Sequence, residues 1–213
     1  MNGITFGNYH SYDDLSLILS SKTIGSPSVK TETIDIPGAD GVLDFTEFFG
    51  EAKYNNRTLK FEFSSVELWS EQLAQDSTIK NALHGKKLKI TLDDDPDFYF
   101  MGRISVGDWT NDKNIGKLII TCDCEPWKYK QALTTIQKTV SGSESITLSN
   151  LRRSVSPMIT TDATITIAWT GGSASLNPGT DLVIPELVLK EGNTAITITG
   201  TANVTFKYRK GGF

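Results

Sequence analysis

Apolar and polar residues alternate with a period of two along most of this chain, the signature of strands that bury one face. Leu15/Leu17/Leu19 is the first such run. Leu59/Phe61/Phe63, Leu88/Ile90/Leu92, Phe98/Phe100 and Leu118/Ile120/Cys122 follow. Turn-forming clusters separate them: Asn55-Asn56, Asp93-Asp94-Asp95-Pro96-Asp97 and Asn111-Asp112. One segment has helical spacing instead. Val66, Trp69 and Leu73, then Ile79 and Leu83, predict a helix over residues 65–84, or two short ones broken near Asp76-Ser77. Ser64-Ser65-Val66-Glu67 fits a capping box, and Gly85 is placed to end the helix in a left-handed conformation.

The run Ile34-Asp35-Ile36-Pro37-Gly38-Ala39-Asp40-Gly41 reads as a strand entering a sharp turn. Pro37 fixes φ, while Gly38 and Gly41 tolerate positive φ. Val42, Leu43, Phe45, Phe48 and Phe49 come next, so the hairpin carries apolar side chains with no obvious core of their own. Burying each is worth about 1.5–3 kcal/mol. Either the hairpin packs on its own domain, or it is an arm that reaches a neighbouring subunit. An arm fits a protein whose edge strands need cover, because a closed ring of heterologous contacts pairs every edge.

About 90 residues further on, Cys124-Glu125-Pro126-Trp127-Lys128-Tyr129 reads as a strand stopped by a proline and fixed by two aromatics. Beyond residue 131 the chain changes character. Residues 131–213 hold 23 Ser and Thr among 83 residues, with few charges and no helical pattern. Ile165/Ile167/Trp169, Leu182/Ile184, Ile196/Ile198 and Val204/Phe206/Tyr208 read as strands. Gly171-Gly172, Asn177-Pro178-Gly179 and Gly192-Asn193 read as turns, a spacing that fits a β-sandwich. A linker over 131–138 divides the chain into domains 1–133 and 134–213, the second being small enough to have a marginal core.

Composition removes several functional classes. No window reaches the roughly 18 apolar residues of a membrane helix, and Met1-Asn2-Gly3-Ile4-Thr5-Phe6 has neither the basic nor the apolar region of a secretory signal, so no membrane insertion is expected. Net charge is −4, with 14 basic and 20 acidic side chains in residues 1–130 and 7 and 5 in residues 131–213. Neither half is basic enough to hold nucleic acid through phosphate contacts. The two cysteines, Cys122 and Cys124, share one strand face. They are expected as reduced structural thiols, since an i,i+2 bridge is strained and C-x-C lacks a second ligand pair.

No catalytic, cofactor or metal site emerges, and the chain is not expected to be an enzyme. Asp93, Asp95 and Asp97 alternate like calcium ligands, but the glycine and glutamate that an EF-hand loop needs are replaced by Phe98 and Ile104. No motif selects a carboxylate pair for glycoside hydrolysis, and no nucleophile elbow, phosphate loop or His-Glu-x-x-His is present. Of the tryptophans, Trp69 belongs to the helix stripe, Trp109 flanks a turn, and Trp127 anchors the domain junction with Pro126 and Tyr129. Trp169 is either a core residue or a weak glycan contact that stacks on a sugar.

Several segments, in this order, resemble the distal tail protein (Dit) family of long, non-contractile-tailed bacteriophages. They are Pro37-Gly38-Ala39-Asp40-Gly41, the acidic turn 93–97 with Tyr99 and Gly102-Arg103, Glu125-Pro126-Trp127-Lys128-Tyr129, and the ending Val204-Thr205-Phe206-Lys207-Tyr208-Arg209-Lys210-Gly211. The resemblance spans essentially the whole chain. It implies a mainly β (β-rich α+β) protein, whose N-terminal β-sandwich-like domain with one helix and an extended hairpin arm is followed by a small galectin-like β-sandwich. It implies a structural role in the virion, assembled in the bacterial host cytoplasm: a homohexameric ring at the distal tail tip. The ring would join the tail tube protein to the tail-tip/tail-associated lysin protein used in host attachment, touch the tape measure protein, and let the genome pass its lumen without sequence-specific nucleic acid binding. Ring contacts then fall on Pro37, Gly38, Asp40, Gly41, Val42, Leu43 and Phe45. Residues 139–213 leave no room for the long insertion with which some members dock receptor-binding proteins or bind wall sugars. The alternative reading is a non-catalytic carbohydrate-binding β-sandwich module acting on bacterial cell-wall polymers.

Overall fold

The computed structural model of the chain describes residues 3–48, 50–65, 69–112 and 115–213, with the backbone alone for 69–73 and 111–112. The chain divides into two compact units, Met1–Pro126 and Trp127–Phe213. It is mainly β, with one helix among the described residues.

The first unit contains β1 (Ile4–Phe6), β2 (Tyr9–His10), β3 (Ile18–Ile24), β4 (Thr33–Asp35), β5 (Val42–Asp44) and β6 (Arg57–Ser65). α1 (Trp69–Leu83), β7 (Lys87–Leu92), β8 (Asp95–Val106), β9 (Thr110–Asp112) and β10 (Ile115–Lys130) follow, β10 running past the end of the unit. The main sheet has the order β2-β1-β7-β8-β10-β6-β3, with β9 also pairing β10. Alternate residues of its strands face inward. Leu59, Phe61 and Phe63 of β6 meet Leu118, Ile120, Cys122 and Cys124 of β10 in one buried cluster. The sheet curls until its distant strands touch. Phe6 of β1 packs edge-on against Phe61 of β6, with centroids 5.8 Å apart, and Lys22 of edge strand β3 pairs with Asp94 in the β7–β8 turn. Ile79 and Leu83 of α1 enter the same core.

Three expectations need correction here. Leu15 and Leu17 are buried but precede β3, Leu15 ending a turn and Leu17 following Ser16, whose φ of 52° is left-handed. The helix begins no later than Trp69 and runs unbroken through Asp76-Ser77. Ser64 and Ser65 belong to β6, and the Ser64 hydroxyl lies 2.5 Å from that of Ser20. The remainder of the expected capping box, Val66 and Glu67, lies outside the described residues, as does Phe49. Finally, Pro126 does not stop β10. Pairing with β6 ends at Cys124↔Arg57, so the missing N–H of Pro126 interrupts no ladder bond to β6.

The second unit holds β11 (Thr134–Asn150), β12 (Met158–Thr161), β13 (Ile165–Trp169), β14 (Gly172–Leu176), β15 (Gly179–Val183), β16 (Gly192–Tyr208) and β17 (Gly211–Gly212). β11 and β16 pair over their full length, from Thr134↔Tyr208 to Asn150↔Gly192. The other edge of β16 is shared: its first half pairs β13 and its second half β12. Gly142 and Gly200 face each other midway, with φ of 89° and 144°. A Cβ on Gly200 would lie 3.1 Å from the Thr164 carbonyl, so the ribbon bends where side chains are absent. The bend folds the sheet over, and Ile196, Ile198 and Ile167 from one half share a core with Val204, Phe206 and Ile159 from the other. At the start of this unit, Lys128 and Tyr129 of β10 pair Gly212 and Gly211 of β17.

Candidate assembly interface

Between Ile24 of β3 and Arg57 of β6 the chain leaves the sheet as a long ribbon. The Gly25 N–H donates to the Thr58 carbonyl (2.9 Å), Asn55 N–H to Ser28 (2.8 Å) and Lys30 N–H to Lys53 (2.8 Å), and Val29 bridges Tyr54. Further out, Phe45 N–H donates to Glu32 (2.7 Å), and β4 pairs β5 with Ile34 opposite Leu43. Twelve extended residues from Gly25 to Ile36 reach at most about 40 Å. The tip is a tight turn in which the Ala39 N–H donates to the Ile36 carbonyl at 3.1 Å. Pro37 and Gly38 occupy its centre, and the φ of 85° at Gly38 fits a type II turn, which admits a glycine there. At the base of the tip the Asp44 carboxylate accepts from the Thr46 N–H (2.8 Å), and the Thr46 hydroxyl accepts from Glu32 N–H (3.1 Å). Hydrogen bonds from the Thr46 side chain and backbone hold the Asp44 carboxyl below its usual range.

The ribbon carries apolar side chains in the open. Ile34 is 55% exposed, Val42 61%, Leu43 48% and Phe48 70%; Ile36 is exposed as well, and Phe45 packs edge-on against Phe48 with centroids 5.7 Å apart. By strand register, Ile34 and Leu43 share one face while Val42 sits on the other beside Asp35. Carboxylates are interleaved throughout. Residues 31–52 hold Glu32, Asp35, Asp40, Asp44, Glu47 and Glu51 and no basic residue. Such a surface excludes water only when another surface covers it.

Arg57 roots the ribbon and is the buried cation that pattern reading missed. Its Nε donates to the Gly25 carbonyl (2.7 Å) and its Nη1 to the Pro126 carbonyl (3.3 Å), and its guanidinium lies 5.2 Å from the Phe100 ring centre. Burial lowers its pKa, and these carbonyls and the ring take the place of water. Only its position at the first inward-facing place of β6 could have hinted at this role.

The remaining sequence-derived candidates take the following places. Pro126 ends the first unit. Trp127 stacks on Phe213 at 4.6 Å with planes 8° apart, and Arg153 lies over Tyr129 at 5.2 Å. Trp169 is half-buried, packs against the second core and covers Gly172. The Asp93 carboxylate accepts from Gly3 N–H (2.7 Å) and meets His10 Nε2 at 3.2 Å, while His84 Nδ1 accepts from Val106 N–H. Cys122 and Cys124 are free and buried. Burial pushes both thiols up, Cys124 to about 12, so neither is a nucleophile near neutrality. Among the described residues no group of three or more His, Cys, Asp or Glu is arranged to hold a metal ion.

No protein-family model matches the sequence, and no curated protein matches it. Among solved structures, the fold is similar to that of the Dit protein (gp 19.1) of SPP1, described as a paradigm of the hub adsorption apparatus in phages infecting Gram-positive bacteria. The TM-score is 0.71 at 16% identity, with 98% of this chain and 99% of that chain covered. The resemblance read from the ordered segments therefore holds at the level of the whole fold: from end to end, this chain has the fold of a Dit protein.

Proposed function

We infer that this chain is a distal tail protein: a non-catalytic structural subunit that forms a homohexameric ring at the tip of a long phage tail. The first unit builds the ring, and the second is the galectin-like sandwich. One face of the ring meets the tail tube, and the other meets the tail-tip protein that takes part in host attachment. The observation that carries this reading is the exposed acidic–apolar ribbon on a Dit-like fold. Its apolar residues are wasted on a monomer but become buried when each subunit lays its arm on the next. Val42, Leu43 and Phe45 supply the contact area, and Pro37, Gly38, Asp40 and Gly41 shape the tip. The acidic balance of the first unit, 12 basic against 20 acidic side chains, suits a ring through which DNA passes without adhering.

Negative-stain electron microscopy of the purified protein tests this reading, with a variant lacking residues 38–45 beside it. Six-fold rings with a central hole are expected for the intact chain, and folded, unassembled subunits for the deletion. Rings formed equally well by the deletion variant would end the arm reading.

A further inference from the structure

The ends of the two large sheets differ in how they meet solvent. The first sheet ends on β2, a two-residue strand, and on β3, which carries Lys22 and a register shift between Leu19 and Ser21. In the second unit β14 and β15 end their sheet order with five residues each. Brevity, a bulge and a lysine all discourage pairing with a foreign strand. β11 is built otherwise. It is 17 residues long and contains no proline. Among the described residues its only strand partner is β16, so its other edge presents a row of backbone N–H and C=O groups. At its far end the Ser149 carbonyl accepts the Tyr208 hydroxyl (2.8 Å), which leaves residues 136–148 as the open stretch. Its two charged side chains, Lys138 and Glu144, lie on the face of Val204 and Ile198 and pair with each other at 2.6 Å. Its outer face carries no charge.

This edge is complementary to itself. β11 bends at Gly142, where φ is 89°, so a strand that pairs along it must bend at the same place. A second copy of β11 meets that condition in one antiparallel register, with Gly142 opposite Gly142 across a two-fold axis. An axis along the sheet normal keeps both bends in the same direction. A Cβ at Gly142 would meet nothing within 4 Å, so the axis position is unobstructed. Opposite residues of an antiparallel pair share a face. On the core side Ile136 then faces Leu148, where Ile136 and Ile146 are half-buried in the single subunit. On the outer side Thr139 faces Ser145 and Ser141 faces Ser143, polar against polar. Lys138 lies diagonal to Glu144 of the other copy, and no like charges are opposed. We propose that β11 pairs with β11 of a second copy, antiparallel and two-fold, centred on Gly142. The contact joins the two sheets into one and forms about a dozen backbone hydrogen bonds over residues 136–148. It uses no residue of the arm and needs no ring.

The test uses the full chain with L43D in the arm, so that dimers are not fragments of a ring. Sedimentation velocity at rising concentration is expected to show a monomer–dimer equilibrium. Adding S141K/S143K sets lysine opposite lysine twice and is expected to weaken the dimer about tenfold, while S141K/S143E sets each lysine opposite a glutamate and restores it. Both positions are exposed, so the subunit keeps its fold. Disulfides read the register. S141C/S143C is expected to give a covalent dimer on mild oxidation, because a bridge between i and i+2 of one strand is strained. Q137C/T139C, whose cysteines face Thr147 and Ser145, is expected to give none. A strictly monomeric L43D chain with no S141C/S143C dimer would overturn the pairing and leave the ring reading untouched. Dimerisation of S141K/S143K as strong as that of its parent, or equal coupling of Q137C/T139C, would overturn the contact centred on Gly142.

Discussion

Replacing Leu43 by aspartate gives a sharp separation between folding and assembly. Leu43 is 48% exposed in the subunit, and its cross-strand partner Ile34 is 55% exposed, so the substitution removes little from the subunit's own core. Covering the remaining half of a leucine is worth about 1 kcal/mol, half the usual value for full burial. A carboxylate forced under the same cover adds a desolvation penalty of about 2 kcal/mol or more. Each junction therefore weakens by about 3 kcal/mol, a factor of about 150, and a closed ring incurs the loss at every junction. Leu43→Ala, which loses only the apolar term, weakens each junction about fivefold. The assay is ring population against concentration, by mass photometry, with thermal unfolding of the dissociated subunit alongside. Val183→Asp is the control, because Val183 is just as exposed (51%) but sits on β15. The expected ordering is wild type and V183D alike, L43A lower and L43D lowest, all with subunit unfolding temperatures within a few degrees. If L43D forms rings as readily as V183D, the arm does not carry the assembly.

Arg57→Met keeps the length of the side chain but leaves the Gly25 and Pro126 carbonyls without their donor and Phe100 without its cation. A loss of about 2–3 kcal/mol in urea unfolding is expected; an unchanged midpoint refutes the anchoring role. Cys122 and Cys124 are expected to resist a thiol reagent at pH 8 until the chain unfolds. Raised folded-state thiol pKa values favour the protonated form, so their contribution is complete below the ordinary value of 9.0. It is lost as pH climbs toward about 12, so stability measured from pH 8 to 11 falls more slowly in C122A/C124A than in wild type. Trp169→Ala is expected to lower the stability of the second unit by about 2 kcal/mol, since the ring is half-buried against its core. Loss of cell-wall glycan retention by W169A with stability unchanged would favour a sugar-stacking role instead.

The parts of this molecule that could be read from sequence are those set by short-range periodicity. Leu59/Phe61/Phe63 and Leu118/Ile120/Cys122 became the paired inward faces of β6 and β10 because alternation has one solution when one face is wet. Pro37-Gly38 became a turn because its backbone angles suit few alternatives. What escaped was set by partners distant in sequence. Leu15 and Leu17 keep strand-like alternation yet lie outside any strand, where burial rather than pairing places them. Pro126 looked like a terminator because the end of the β6 ladder, two residues earlier at Cys124, is invisible locally. Arg209 and the Lys130 carbonyl that it reaches come from segments about 80 residues apart and meet only where β17 returns to β10. The arm sits between these cases. Its turn and apolar content were legible, but its exposure was not, because a hairpin packed on its own sheet and one held away from it have the same pattern. Evidence for an interface therefore comes from the combination: a local motif that builds the ribbon, and a fold that leaves its apolar residues uncovered.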